Sequence, residues 1–211
     1  MQISNCQVFL IEIKQTKPLA PYRSHIRTSD WTTKAIVKLE TDTGLVGWGE
    51  HNQNFLPDIN IEKQNTSARE FIIGWDPYDV ERYHQENPFE PRLRCGIEMA
   101  MWDLIGKDNG QPLYKLLGGK VRERVELAAC MGIQTYERAG EMARWYVEQG
   151  YTALKTKAGA EAQEDFDMVR GVRDAVGDKL KLRIDPNRAY STEEAAELAI
   201  KLEPYGLEYF E

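Results

Sequence analysis

The sequence predicts an α+β half followed by an α/β half built on a parallel sheet. Three observations predict it. Residues 33–41 alternate apolar and polar, and Asp42-Thr43-Gly44 turns them back into another strand, so the first half holds an antiparallel hairpin. After Gly119 the rhythm becomes strand, helix, strand, helix at a period of roughly 25–30 residues, the pattern of βα units. Within that second half, residues 151–159, YTALKTKAG, read as a short buried strand carrying two lysines on one face.

Residues 7–14 are apolar and β-branched enough for a first strand. Residues 15–31 turn polar, with Pro18 and Pro21 breaking regular structure, and gather Tyr22, Arg23, His25 and Arg27 in a small space. In residues 33–41, Ala35, Val37 and Leu39 share one face, with Lys34, Lys38 and Glu40 mostly on the other. Residues 45–50 return as the next strand and complete a meander. Residues 67–73 and 79–87 read as short helices around Gly74-Trp75-Asp76-Pro77. Residues 94–117 read as a longer helical run, with Ile97, Ala100, Met101, Leu104 and Ile105 on one face and Gly118-Gly119 as its stop.

In the second half, residues 125–130 are a strand and 136–149 a helix with Ala139, Met142, Ala143 and Tyr146 inward. Residues 152–157 form the lysine strand, followed by a helix over 163–176 with Phe166, Val169 and Val176 inward. A strand over 180–185 leads to a helix over 192–202, which Ser191 and Glu194 open as a capping box. Residues 207–211 begin a fourth strand.

Composition removes several classes of function. At 211 residues the chain can bury a sizeable core. A net charge of −7 and the lack of a basic stripe argue against a nucleic-acid partner. Residues 1–13 lack the basic start and long apolar core of a signal peptide. No stretch approaches the ~20 apolar residues of a membrane span. The odd, widely spaced Cys6, Cys95 and Cys130 point to free thiols in a reducing cytoplasm.

Chemistry in βα barrels gathers at the C-terminal ends of the strands. Here Lys157, Asp185 and Glu211 end three successive strands. Two lysines on one face of a buried strand must be desolvated, which calls for a partner or a task. The expected task is proton abstraction next to a carboxylate by Lys157, its pKa lowered by Lys155 and by burial. Asp185 and Glu211 are hard oxygen donors on adjacent strands, suited to converge on Mg²⁺. Such an ion holds the substrate carboxylate and stabilises the charge left by the departing proton. Lys155 also helps to neutralise that carboxylate. Taken singly, each feature has a bland rival. The lysines could snorkel to water, Asp185-Pro186-Asn187 is an ordinary turn sequence, and Glu211 could be a surface acid. His25, His51 and His84 read as loop, cap or solvated residues rather than catalysts. The conjunction of three strand ends carries the weight.

These residues resemble the mandelate racemase/muconate lactonizing enzyme family of the enolase superfamily. The match lies in IEMAMWDLIGKDNGQPLYKLLGG (residues 97–119), ALKTKAG, RIDPNRAYS with LEYFE, and GLVGWGE. The resemblance implies an α+β cap domain over residues 1–118. It makes residues 119–211 strands one to four of an incomplete, modified (β/α) TIM-type barrel. It also implies Mg²⁺, a small-molecule carboxylate substrate and a homo-oligomer. By residue, Lys157 matches the general base, Lys155 its electrostatic partner, and Asp185 and Glu211 metal ligands. Asn187 matches a polar position near metal and substrate. The loops around Tyr22, Arg23 and His25, and residues 52–55 with Asn52, match the regions that choose the substrate.

The family's barrel needs roughly twice the strands found after Gly119. The expectation is therefore a fragment of a longer enzyme, inactive alone, whose third metal ligand and second acid/base are not among these residues. For the full-length enzyme the polar set Arg23, His25 and Asn52 leans towards a sugar-acid dehydratase, a lyase. Racemase, epimerase or cycloisomerase activity is the alternative within the family. A non-catalytic binding or assembly module, and a Schiff-base lysine, are rivals from other classes.

Overall fold

A computed structural model of the chain describes residues 1–52 and 60–211. The elements run in the order β1 (Ile3–Lys14), β2 (Tyr22–Arg23), β3 (Thr28–Ser29), β4 (Trp31–Thr41) and β5 (Val46–Asn52). Then come α1 (Ile61–Ile72), α2 (Val80–Glu86), α3 (Pro91–Asp108) and α4 (Leu113–Leu116). The remainder alternates: β6 (Ala129–Met131), α5 (Tyr136–Glu148), β7 (Ala153–Lys157), α6 (Ala162–Val176), β8 (Lys181–Asp185), α7 (Thr192–Leu202) and β9 (Tyr209–Phe210). Two compact units result. One comprises Met1–Ile13 with Trp31–Glu123, the other Lys14–Asp30 with Arg124–Glu211.

The first unit is an antiparallel sheet, in the order β1-β4-β5, with helices. The β4–β5 hairpin closes where Thr41 and Leu45 bond and Gly44 takes a φ of +85°. Ala35, Val37 and Leu39 are fully buried, as their alternation predicts. Against them pack Ile97, Ala100, Met101 and Leu104 of α3. The backbone of α3 lies so close to β5 that a Cβ on Gly49 would stand 1.9 Å from the Gly96 oxygen. His51 sits on the buried face of β5, so it is a core-facing strand residue rather than a loop residue.

Helix ends differ from expectation for local reasons. The α1 helix starts at Ile61, not residue 67, because the Asn60 side chain caps the Lys63 amide at 2.9 Å. The long run over 94–117 is two helices. α3 stops at Asp108, Gly110 is left-handed with φ +59°, and Pro112 precedes α4. Its start at Pro91 is set by Glu90, whose carboxylate accepts from the Arg92 and Leu93 amides.

The second unit contains a four-stranded parallel sheet in sequential order, β6-β7-β8-β9. Helices α5, α6 and α7 cover one of its faces, where Met131, Leu154, Leu182 and Ile184 meet Met142, Met168, Val169 and Leu198. Sequential parallel strands with helical crossovers are the arrangement of part of a (β/α) barrel, so the α+β then α/β prediction holds. Two strands are shorter than expected. β6 covers only Ala129–Met131, with Val125 and Leu127 exposed, and β9 only Tyr209–Phe210. Residues 14–30 come from the first half of the sequence, yet pack within this second unit. All three cysteines are free. Among the described residues, no helix is long and apolar enough to cross a membrane.

Candidate active site

The alternation of β7 sorts its side chains. Leu154 and Thr156 are fully buried on the helix side, so Lys155 and Lys157 point to the opposite face. In-register neighbours on parallel strands share a face, and the register pairs Lys155 with Arg183 and Lys157 with Asp185. The last rung therefore sets an amine beside a carboxylate. Lys157 Nζ donates to Asp185 Oδ2 at 2.7 Å and to Asn187 Oδ1 at 2.6 Å. Lys155 Nζ lies 3.1 Å from the same Asp185 oxygen and 2.5 Å from Glu211 Oε2. Asp185 Oδ1 accepts the Asn187 amide at 2.9 Å.

These contacts set the electrostatics. Asp185 is only 3% exposed, and burial pushes its pKa up. Hydrogen bonds from Lys157, Lys155 and the Asn187 amide outweigh burial and bring the carboxyl to about 2. The Glu211 hydrogen bond, opposed by desolvation and reinforced by Asp185, raises the pKa of Lys155. The sequence has Lys155 acting on Lys157 as a bare positive neighbour. In the structure a carboxylate stands between the two ammoniums and answers both.

Asp185 and Glu211 reach one ammonium, so their oxygens converge on a common cation position. Both carboxylates are hard oxygen donors of the kind Mg²⁺ takes, and in the structure Lys155 Nζ occupies the position between them. Among the described residues no group of three or more His, Cys, Asp and Glu could hold a metal ion.

The remaining candidates divide. Asn187 joins the cluster, its backbone left-handed at φ +50°. Tyr22 also comes close, its hydroxyl 3.4 Å from Cys130 Sγ, and Cys130 pairs with Lys155 in register. Burial, the Cys130 contact and the negative charge of Asp185 all raise the Tyr22 pKa. His25 flanks the loop after Lys157, where a Cβ on Gly159 would meet its Cβ at 3.5 Å. Its Nδ1 is buried without a partner. Arg23 is not brought to the lysines. Its guanidinium pairs with Glu164 at 3.0 Å and lines a separate cleft of 560 Å³ with Thr135, Tyr136, Asp167 and Arg170. Asn52 ends β5, in the other unit, and residues 53–55 lie outside the described residues.

Sequence reading missed Asp165, Tyr190 and Cys130. Asp165 had a signal: it shares the helical spacing of Met168, Val169, Val172 and Val176, all buried, and an acid on an apolar stripe is anomalous. Tyr190 and Cys130 carried no comparable local signal.

Comparisons with known proteins agree with this fold. The family profile described as mandelate racemase/muconate lactonizing enzyme, N-terminal domain, matches residues 7–118. That described as enolase C-terminal domain-like matches residues 137–211. A hydrophobic dipeptide epimerase of Enterococcus faecalis is 31% identical over 213 residues, covering 95% of this chain and 57% of the relative. An arabinonate dehydratase of Saccharolobus solfataricus is 30% identical over 192 residues, covering 82% of this chain and 50% of the relative. Among solved structures, a dipeptide epimerase from Enterococcus faecalis V583 complexed with Mg and the dipeptide L-Leu-L-Tyr superposes with a TM-score of 0.89 at 30% identity. That match covers all of this chain and 60% of the solved one. The chain thus spans between half and three fifths of these relatives.

Proposed function

The chain belongs to the mandelate racemase/muconate lactonizing enzyme family of the enolase superfamily, and from that premise we propose that it removes the proton α to a carboxylate. Lys157 is the base. The observation that carries this reading is the shared face of Lys157, Lys155, Asp185 and Glu211, with Lys157 Nζ 2.7 Å from Asp185.

Each side chain has a distinct part. Lys157 takes the α-proton at Nζ, and Asp185 with Asn187 aims that amine. Lys155 offers a second positive charge that attracts and orients an anionic substrate on the same face. Asp185 and Glu211 would hold Mg²⁺. When bound, that ion supplies electrostatic stabilisation of charge developing on the substrate carboxylate. Tyr22 and His25 border the loops around the amine and contribute to substrate shape.

Of the possible outcomes, we favour inversion at the α-carbon of an N-acylated amino acid or dipeptide over loss of water from a sugar acid. Two things support the change from the dehydratase reading. Arg23, one of the three polar groups behind that reading, is engaged by Glu164. Epimerases and racemases also outnumber dehydratases among the names of the similar proteins, although three dehydratases are among them.

The test uses the enzyme expressed from its complete gene, incubated with Mg²⁺ in D₂O. The panel contains L-dipeptides, N-succinyl amino acids and sugar acids. Deuterium at the α-carbon with inversion supports the proposal. A 2-keto acid product restores dehydration. No exchange on any acid of the panel, with or without chelator, rejects proton abstraction.

A further inference from the structure

A buried acid outside the lysine cluster joins the two loops that serve it. Asp165, near the start of α6, is fully buried beside Met168 and Val169. Its Oδ2 accepts the Gly159 amide at 2.6 Å and the Tyr190 hydroxyl at 2.5 Å. Its Oδ1 is buried and has no partner. Gly159 follows Lys157 by two residues, and Tyr190 follows Asn187 by three.

The same loops also abut through their backbones. Gly159 has φ +96°, and a Cβ there would stand 2.4 Å from the Ala189 Cβ and 2.9 Å from the Pro186 oxygen. One residue earlier, the Ala158 amide donates to the Asp185 carbonyl at 3.1 Å. Between Pro186 and Ala189, Asn187 and Arg188 both hold left-handed φ angles, of +50° and +65°. Residues other than glycine keep such angles only where their surroundings hold them.

We propose that Asp165 is a positioning residue. One of its oxygens grips Gly159 and Tyr190 together, sets the loop after Lys157 against the loop after Asp185, and so keeps Asn187 at the Lys157 amine. Packing does not account for this side chain. A dry carboxylate with one oxygen unpartnered disfavours the fold relative to an apolar residue in the same stripe. Burial raises its pKa against the pull of its two donors, which records that cost. Asp165 touches neither lysine and acts only through the two loops.

The kinetic consequence rests on Lys157 being the base, whereas the tie itself does not. Two variants of the enzyme from its complete gene test both. Tyr190→Phe removes one donor and keeps the ring, and Asp165→Leu keeps the approximate volume and removes the oxygen that accepts from both loops. Hydrogen–deuterium exchange by mass spectrometry follows peptides covering residues 157–160 and 186–190, with α5 as the internal control. Exchange in both segments is expected to rise about tenfold in each variant, with α5 unchanged. For α-proton removal, kcat is expected to fall about 10–100-fold with KM within about threefold, since misaimed groups slow chemistry more than binding. Unchanged exchange in both loops overturns the tie, and unchanged kcat overturns the positioning role. Should the wild type remove no α-proton, the proposed function fails, and loop exchange in Tyr190→Phe still decides the tie.

Discussion

The two sheets of this protein obey the same two-residue alternation and use it for different ends. In the antiparallel sheet, the buried face of the hairpin is a matter of shape. Val37 and Leu39 fill space, and Gly47 and Gly49 let the α3 backbone settle onto β5. Its other face carries ion pairs open to solvent, Lys34–Glu50 at 2.8 Å and Lys38–Glu40 at 2.7 Å, of the kind that contributes little. In the parallel sheet one face is equally apolar, but the other places Lys155 and Lys157 on one oxygen of an acid that is 3% exposed. The difference lies in the acid: the lysines of the two sheets are open to water to a similar degree, whereas Asp185 is shielded from it and Glu40 and Glu50 are not. A shielded carboxylate depends on its amine partners, and an exposed one does not.

If that comparison is sound, substitutions in the two sheets fail differently. The largest effect is expected for Lys157→Ala, which should lower α-proton exchange in D₂O about 10²–10⁴-fold and lower the urea midpoint only modestly, because the buried Asp185 keeps Lys155 and the Asn187 amide. Loss of fold together with activity would break the comparison. Next comes Gly49→Ala, whose new Cβ falls 1.9 Å from the Gly96 oxygen. Overpacking there should remove about 3 kcal/mol from the urea-unfolding free energy. Gly44→Ala sharpens the contrast, because the hairpin turn has φ +85° but nothing within 4 Å of a Cβ. It should lose about 1 kcal/mol in the same measurement, from backbone strain alone.

The smallest effect concerns Asp165 and has a definite sign. Its folded pKa is raised, mainly by burial, so its contribution to stability is present when it is protonated and is lost as pH rises through that raised pKa. Stability of Asp165→Asn relative to the wild type should therefore increase from acid to neutral pH, measured by denaturant titration at each pH. A relative decrease would show that the Gly159 and Tyr190 hydrogen bonds dominate over desolvation.

Much of this was legible in short stretches. The lysine strand was readable because side-chain parity depends only on neighbouring residues, and Leu154 and Thr156 point away from Lys155 and Lys157 as expected. The α7 start was readable because Ser191 and Glu194 cap each other within four residues. The end of α3 was not: the apolar face continues in composition past the point where Asn109-Gly110 terminates the helix. The site was legible in its strand-end residues, and less so in the loop residues. Arg23 went elsewhere because its partner, Glu164, lies 141 positions away.

By itself, then, the sequence determined the order of the main elements, the α+β then α/β class and the face on which the two strand lysines stand. Those follow from periods of two and 3.6 residues and from caps that act within one turn. Only the tertiary structure decided that residues 14–30 pack with the parallel sheet, that two ammoniums share Asp185 Oδ2, and that Asp165 meets Gly159 and Tyr190. Such meetings depend on where whole loops come to rest, and no local pattern encodes the separation of groups far apart along the chain.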